Sequence, residues 1–281
     1  MSFLAPSTLT GALMLGACLS SLPAAPPNPA SPPIKYDETT TGVRFGTWGE
    51  TTATPAPVFF ILASTIEETL GTAYFRQAGN ALAERGFICV SVDLPCHGAQ
   101  LRASERPGLD GWRDRADQHE NFVTTSNQRL REVLDHLIAD GTADPERITA
   151  GGTSRGGFLA LQFAAADPRV SSVVAFAPVT DLTALREFHG TEDNPFVQSL
   201  SIIHQSPAFD ARPVWVVIGD RDERVSTAAA ISFVRAITAS ALDRGLNPQA
   251  ELHVLPEPKG HTTPAGAPEQ AAAWILSHLQ P

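Results

Sequence analysis

Three cysteines, two lysines and no long apolar run are the scarcities of this 281-residue chain, and each removes a class of protein. Cys89 and Cys96 are too few and too awkwardly spaced for a disulfide framework or a zinc site, so both are expected to be free. No apolar stretch is long enough to span a bilayer. Eighteen of the twenty basic residues are arginine, scattered singly, and the net charge is −10. Nothing supplies a basic stripe to meet phosphates, which argues against nucleic acid as a partner. No motif calls for a metal, flavin or nucleotide, and no cofactor is expected. What remains is 43% hydrophobic, ample for one enzyme-sized domain.

The first thirty-odd residues read as targeting. Residues 9–19 form a short apolar stretch ending in Leu15-Gly16-Ala17-Cys18, which resembles a bacterial lipoprotein signal with Cys18 as the acylated residue. Residues 20–33 are rich in Pro, Ala and Ser and suit a tether. No Lys or Arg precedes the apolar run, a departure from that pattern. The expectation is a leader over 1–33 and a catalytic domain over 34–281, exported and either periplasmic or a membrane-anchored lipoprotein. A cytoplasmic protein is the alternative if the leader is not a signal.

Beyond the leader, strand-like and helix-like runs alternate. Strands are expected at 57–63, 87–93, 147–151, 170–177 and 214–218, with another near Leu252. Helices are expected at 72–85, 122–140, 227–244 and 268–279, besides the one after the Gly152–Gly156 pentapeptide below. This order implies an α/β fold, a mostly parallel sheet with helices on both faces and the site at the strands' carboxyl ends. Segments 99–121 and 187–210 break the alternation and are the candidate rim or lid, with Trp112 and Phe188 as candidate pocket side chains.

The chemistry is carried by Gly152-Thr153-Ser154-Arg155-Gly156, between a strand and a buried helix. A bare Gly-x-Ser-x-Gly would occur in a chain this long about one time in ten. Strand, sharp turn and helix together are what a nucleophile elbow needs, because the tight backbone thrusts the serine hydroxyl above the sheet. That hydroxyl requires a base, and the base an orienting group. Asp222 follows the 214–218 strand in Gly219-Asp220-Arg221-Asp222, and His261 follows the next strand in Pro258-Lys259-Gly260-His261. Asp220 is the rival acid, and Asp181 fits a helix N-cap better than a triad. His253 lies within a strand, His278 near the end of the last helix, and His97 suits a loop-stabilising role.

With Asp144-Pro145-Glu146-Arg147-Ile148, the Ser154-Arg155-Gly156-Gly157 elbow, Gly219-x-x-Asp222-x-x-Val225 and Asp93-Leu94-Pro95-Cys96-His97-Gly98 in this order, the chain resembles the α/β-hydrolase superfamily over roughly residues 42–281. Within it, the likeness is to dienelactone hydrolases and prolyl-oligopeptidase-like serine hydrolases. The resemblance implies an acyl-enzyme mechanism with Ser154, His261 and Asp222, and an oxyanion hole formed in part by the Arg155 N–H. Where the family usually has His-Gly, this chain has Ala63-Ser64-Thr65, so the second donor falls to Ser64 or Thr65, with Thr65 preferred. The Arg155 side chain is expected to pair with a nearby carboxylate; a substrate carboxylate or sugar oxygen is the alternative, and Ser followed by Arg also resembles glucuronoyl esterases. Glu67-Glu68 reads as a polar helix lead-in or, as in some dipeptidyl peptidases, an amine-binding pair. The favoured activity is hydrolysis of small or carbohydrate-linked carboxylic esters. A peptidase and a non-catalytic binding protein on the same fold are the alternatives. Spacing leaves the oligomeric state open.

Overall fold

The computed structural model describes residues 33–51 and 54–279. The expectations for the apolar leader, Cys18 and all of the tether but Pro33 lie outside these residues. Eight strands form one sheet: β1 (Lys35–Glu38), β2 (Arg44–Trp48), β3 (Ala56–Leu62), β4 (Ile88–Ser91), β5 (Ala143–Thr153), β6 (Val170–Phe176), β7 (Val214–Gly219) and β8 (Ala250–Leu255). Their spatial order is β1-β2-β4-β3-β5-β6-β7-β8. β2 is antiparallel to both its neighbours, and the strands from β4 through β8 are parallel.

The helices are α1 (Ile66–Gly71), α2 (Ala73–Arg76), α3 (Gly79–Ala83), α4 (Gly108–Asp117), α5 (Phe122–Ala139), α6 (Arg155–Ala166), α7 (Pro195–Ser199), α8 (Thr227–Asp243) and α9 (Ala267–His278). Side chains of a strand alternate between faces, and β3 shows what that does here. Val58, Phe60 and Leu62 join a core with α4, α5, α6 and α8, while Phe59 and Ile61 join one with α1, α3 and α9. Both faces of the inner parallel strands are therefore covered, which accounts for the unbroken apolar runs of β3 and β7. No helix among the described residues is long and apolar enough to cross a membrane.

Three expectations change. The helix expected over 72–85 is split into α2 and α3, because Gln77 adopts a φ of 48° and turns its amide into the protein. Tertiary hydrogen bonds override local propensity there. The irregular segments carry α4 and α7, packed into the core through Leu109, Trp112, Ala116 and Val197, with ion pairs added around α4: Arg106 reaches Asp110 and Asp114, and Arg115 reaches Glu105. Trp112 and Phe188 are wholly buried rather than lining a pocket; Trp112 packs on Phe122 and donates from Nε1 to the Pro95 carbonyl at 2.8 Å. The edge strands β1 and β2 were not expected at all.

Candidate active site

Ser154 occupies the turn between the central strand β5 and α6, with φ 55° and ψ −117°. A non-glycine residue at positive φ is strained and persists only where its surroundings over-determine it. Here they do. The Ser154 N–H donates to the Phe176 carbonyl at 3.0 Å, and the Ser154 carbonyl accepts from the N–H groups of Phe158 and Val179, each at 3.1 Å. A Cβ on Gly152 would lie 2.6 Å from the Leu62 carbonyl oxygen, and one on Gly156 only 1.9 Å from it. The two glycines are thus required by the approach of β3 to the elbow.

Asp222 follows β7, and its side chain is withdrawn from water. One carboxylate oxygen accepts from the N–H groups of Arg224 and Val225 at 3.1 and 3.3 Å. The other faces His261 Nδ1 at 2.8 Å. His261 lies on the loop between β8 and α9, and its Nε2 is 3.0 Å from Ser154 Oγ. This network suits the tautomer with hydrogen on Nδ1, which donates to Asp222 while Nε2 accepts from the serine hydroxyl. Three side chains from distant stretches of sequence are brought into one hydrogen-bonded line.

The rival groups have other work. The Asp220 carboxylate accepts from the Glu257 N–H at 3.0 Å and so ties down the start of the histidine loop. Asp181 caps a turn of 3₁₀ helix through the Thr183 N–H. His97 Nδ1 donates to the Pro95 carbonyl at 2.8 Å, and burial, reinforced by the Arg155 charge, lowers its pKa. Cys89 and Cys96 are free and buried, and burial pushes both thiols up to about 12.

Sequence reasoning missed the supports of the histidine. Gln77 donates from Nε2 to the hydroxyls of Thr153 and Thr263 at 3.0 and 2.9 Å, linking the elbow to the histidine loop. The Tyr74 hydroxyl accepts from the Thr263 N–H at 3.2 Å and lies 3.3 Å from the Thr262 hydroxyl. Neither residue belongs to a motif, so spacing carried no signal of them.

For a developing oxyanion, the Arg155 N–H lies in the first turn of α6, where amides lack intrahelical partners and the dipole favours negative charge. On the facing loop, the Ser64 N–H is already donated to Thr69 Oγ1 at 3.2 Å and the Ile66 N–H to Asp93 at 2.9 Å. The Thr65 N–H makes no hydrogen bond to the described residues, while its hydroxyl caps α1 by accepting from the Glu68 N–H at 3.1 Å. Glu67 pairs with Arg44 at 2.7 Å, and Glu68 accepts from the Ser64 hydroxyl. The expected carboxylate partner of the Arg155 side chain is absent among the described residues: its Nε donates to the Ala63 carbonyl at 3.1 Å instead. β3 delivers that carbonyl to the elbow, closer than any acid. A cleft of about 260 Å³ opens over Ser154 and His261, walled by Ala63, Tyr74, Phe75, Arg155 and Ala177.

Known proteins share this arrangement of chain. A hydrolase from Fusarium, LUC6, is 33% identical over 120 residues, 41% of this chain and 25% of that protein. An acylamino-acid-releasing enzyme of Arabidopsis thaliana is 29% identical over 132 residues, 40% of this chain and 17% of that protein. The chain thus matches about a quarter or less of the length of these relatives. Among solved structures, TT1662 from Thermus thermophilus superposes with a TM-score of 0.64 at 19% identity, covering 89% of this chain and 99% of that one. Acetyl xylan esterase 1 from Thermoanaerobacterium gives 0.56 at 17%, covering 89% of both. The acylaminoacyl peptidase of Pyrococcus horikoshii gives 0.64 at 12%, covering 88% of this chain and 41% of that one. These likenesses establish the α/β-hydrolase fold. The profile of the prolyl oligopeptidase family matches residues 73–280, which include the elbow, the acid and the histidine, and the chain belongs to that family of serine hydrolases.

Proposed function

We propose that this protein is a serine esterase that cleaves carboxylic esters, small or carbohydrate-linked, through an acyl-enzyme. The observation that carries the reading is the line from Ser154 Oγ to His261 Nε2 at 3.0 Å and from Nδ1 to Asp222 at 2.8 Å. His261 takes the hydroxyl proton as Oγ attacks the ester carbonyl. Asp222 holds the ring and stabilises the imidazolium. Collapse of the tetrahedral intermediate breaks the bond to the alcohol oxygen, which receives the same proton from His261. Water then attacks the acyl-serine, giving its proton to His261 and its oxygen to the acid, and Ser154 regains its hydrogen. The N–H groups of Arg155 and Thr65 are assigned to the oxyanion, each donor lowering the barrier by about 3 kcal/mol.

The ester reading draws support from the acetyl xylan esterases among the structural neighbours and from the closed state of the acidic pair. Glu67 is engaged by Arg44 and Glu68 by Ser64, which leaves no free pair of carboxylates for a peptide amine. The family's peptidase members favour the second reading, a peptidase. A fluorophosphonate should label Ser154 in folded protein and fail to label Ser154→Ala. Turnover of nitrophenyl esters far above aminoacyl nitroanilides supports the esterase. The reverse order establishes the peptidase, and no labelling leaves a binding protein. The export proposal stands on Cys18: an acylated Cys18 at the mature N-terminus, read by mass spectrometry, would support it, and an intact Met1 would refute it.

A further inference from the structure

Arg155 brings a positive charge to the cleft that the protein leaves largely unspent. Most arginines here are matched to carboxylates: Arg102 to Glu120, Arg106 to Asp114, Arg113 to Asp117, Arg169 to Asp167. Arg155 forms no ion pair with a described residue. Only its Nε is engaged, by the Ala63 carbonyl, while the two terminal nitrogens of the guanidinium have no hydrogen-bond partner among the described residues. The side chain lies beside the nucleophile and forms part of the cleft wall. Burial pulls its pKa below the usual arginine range, and of the surrounding charges Glu68 opposes that effect most. The Glu68 carboxylate is turned to the Ser64 hydroxyl and the Glu187 carboxylate to Arg224 at 2.7 Å, so neither is hydrogen-bonded to the fork, although the charge of each acts on it. A guanidinium with its terminal N–H groups free presents two parallel donors at the spacing of a carboxylate's oxygens.

We propose that the free fork of Arg155 anchors a carboxylate of the substrate, so that the preferred esters are those carrying a second, unesterified carboxyl group. This rests on the esterase reading and adds the chemical class of its substrate. Charge-assisted, bidentate contact is geometrically selective, and partial removal from water strengthens it. Neutral esters would still reach Ser154 but would leave the guanidinium without its partner, a loss paid in KM.

The test compares anionic esters with neutral ones that share their reacting group, on the full chain. Nitrophenyl hydrogen glutarate against nitrophenyl butyrate places the carboxylate on the acyl side; acetoxybenzoate against phenyl acetate places it on the alcohol side. In at least one pair the anionic ester should exceed its neutral match by about tenfold in kcat/KM, through KM. Arg155→Met should lower that ratio by about tenfold, whatever it does to the neutral ester. Glu68→Gln, which removes the negative charge that acts most on Arg155, should raise it by about threefold. A ratio at or below one in both pairs, or a ratio unmoved by Arg155→Met, overturns the subsite while the esterase stands. Should Arg155→Met not fold, inhibition of nitrophenyl butyrate hydrolysis by glutarate decides. Competitive inhibition that tightens in Glu68→Gln supports the anchor, and inhibition that is absent or indifferent to Glu68 overturns it. Failure of Ser154 to label or to turn over any ester removes the esterase reading and the subsite with it.

Discussion

Ser154 and His261 lie 3.0 Å apart, yet the protein holds them by different means. Around Ser154 the restraint is backbone packed on backbone: Gly152 and Gly156 against Leu62, with three main-chain hydrogen bonds to the serine itself. Around His261 it is a set of side-chain hydrogen bonds from Gln77, Tyr74, Asp220 and Asp222, reaching a loop that is itself largely exposed. Steric restraint tolerates almost no change, whereas each hydrogen bond is replaceable at modest cost. The position of Ser154 is consequently all-or-none, and that of His261 is adjustable.

That contrast can be broken most violently at Gly156. Gly156→Ala should destabilise the fold by more than about 4 kcal/mol, because the new methyl meets the backbone oxygen of Leu62; thermal denaturation or loss of soluble protein reads it. Asp222→Asn should leave the fold in place and lower kcat by about 10⁴-fold, since the amide favours the wrong imidazole tautomer. A change of less than about tenfold would remove Asp222 from the mechanism. Glu105→Gln lies outside both regions and separates stability from catalysis. Hydrogen bonding to Arg115 holds the Glu105 carboxyl down to about 2, and the pair's side chains are less than a tenth exposed. With the folded value below the unfolded one, its stabilisation is complete above pH about 4.5 and fades as pH falls toward 2. The variant should lose about 3 kcal/mol at neutral pH and this acid dependence, with kcat retained while folded.

Smaller effects sharpen the picture at the histidine. Gln77→Met keeps the volume but releases Thr263 from Thr153, and should lower kcat by about tenfold with KM little changed. A fall in stability without a fall in kcat would show Gln77 to be structural only. Tyr74→Phe removes one acceptor of the Thr263 N–H and should cost about two- to threefold in kcat, measured on a saturating ester.

The same division decides what could be read from the sequence. The elbow was legible because steric demand writes itself into residue type: only glycine fits at 152 and 156. Asp222 was legible because it follows a buried, apolar strand, and His261 because it follows a strand with an alternating pattern. Strands β3 to β8 and the long helices α5, α8 and α9 were within a few residues of expectation for the same reason. The edge pair β1 and β2 escaped because β1 is exposed along its whole length and carries no apolar alternation. Gln77 broke the 72–85 helix for the sake of partners 76 and 186 residues away, which no local pattern encodes. Trp112 suggested a pocket by its size, but a large ring in an amphipathic helix packs inward when its N–H finds a carbonyl, as it does at Pro95.

The acid and the base leave neighbouring strands, β7 and β8, whose registry pairs Gly219 with Leu255. A one-step slip would carry one loop past the other by about 3.3 Å, more than the length of the bond between Asp222 and His261. Their separation is accordingly set by the ladder, while the long excursion between β6 and β7 touches the acid's loop through the ion pair of Glu187 with Arg224. Outside Val179, Glu187 and its buried apolar residues, that excursion has exposed stretches open to insertion or deletion, so its surface can diverge among descendants of this chain while the spacing of Asp222 and His261 stays as it is.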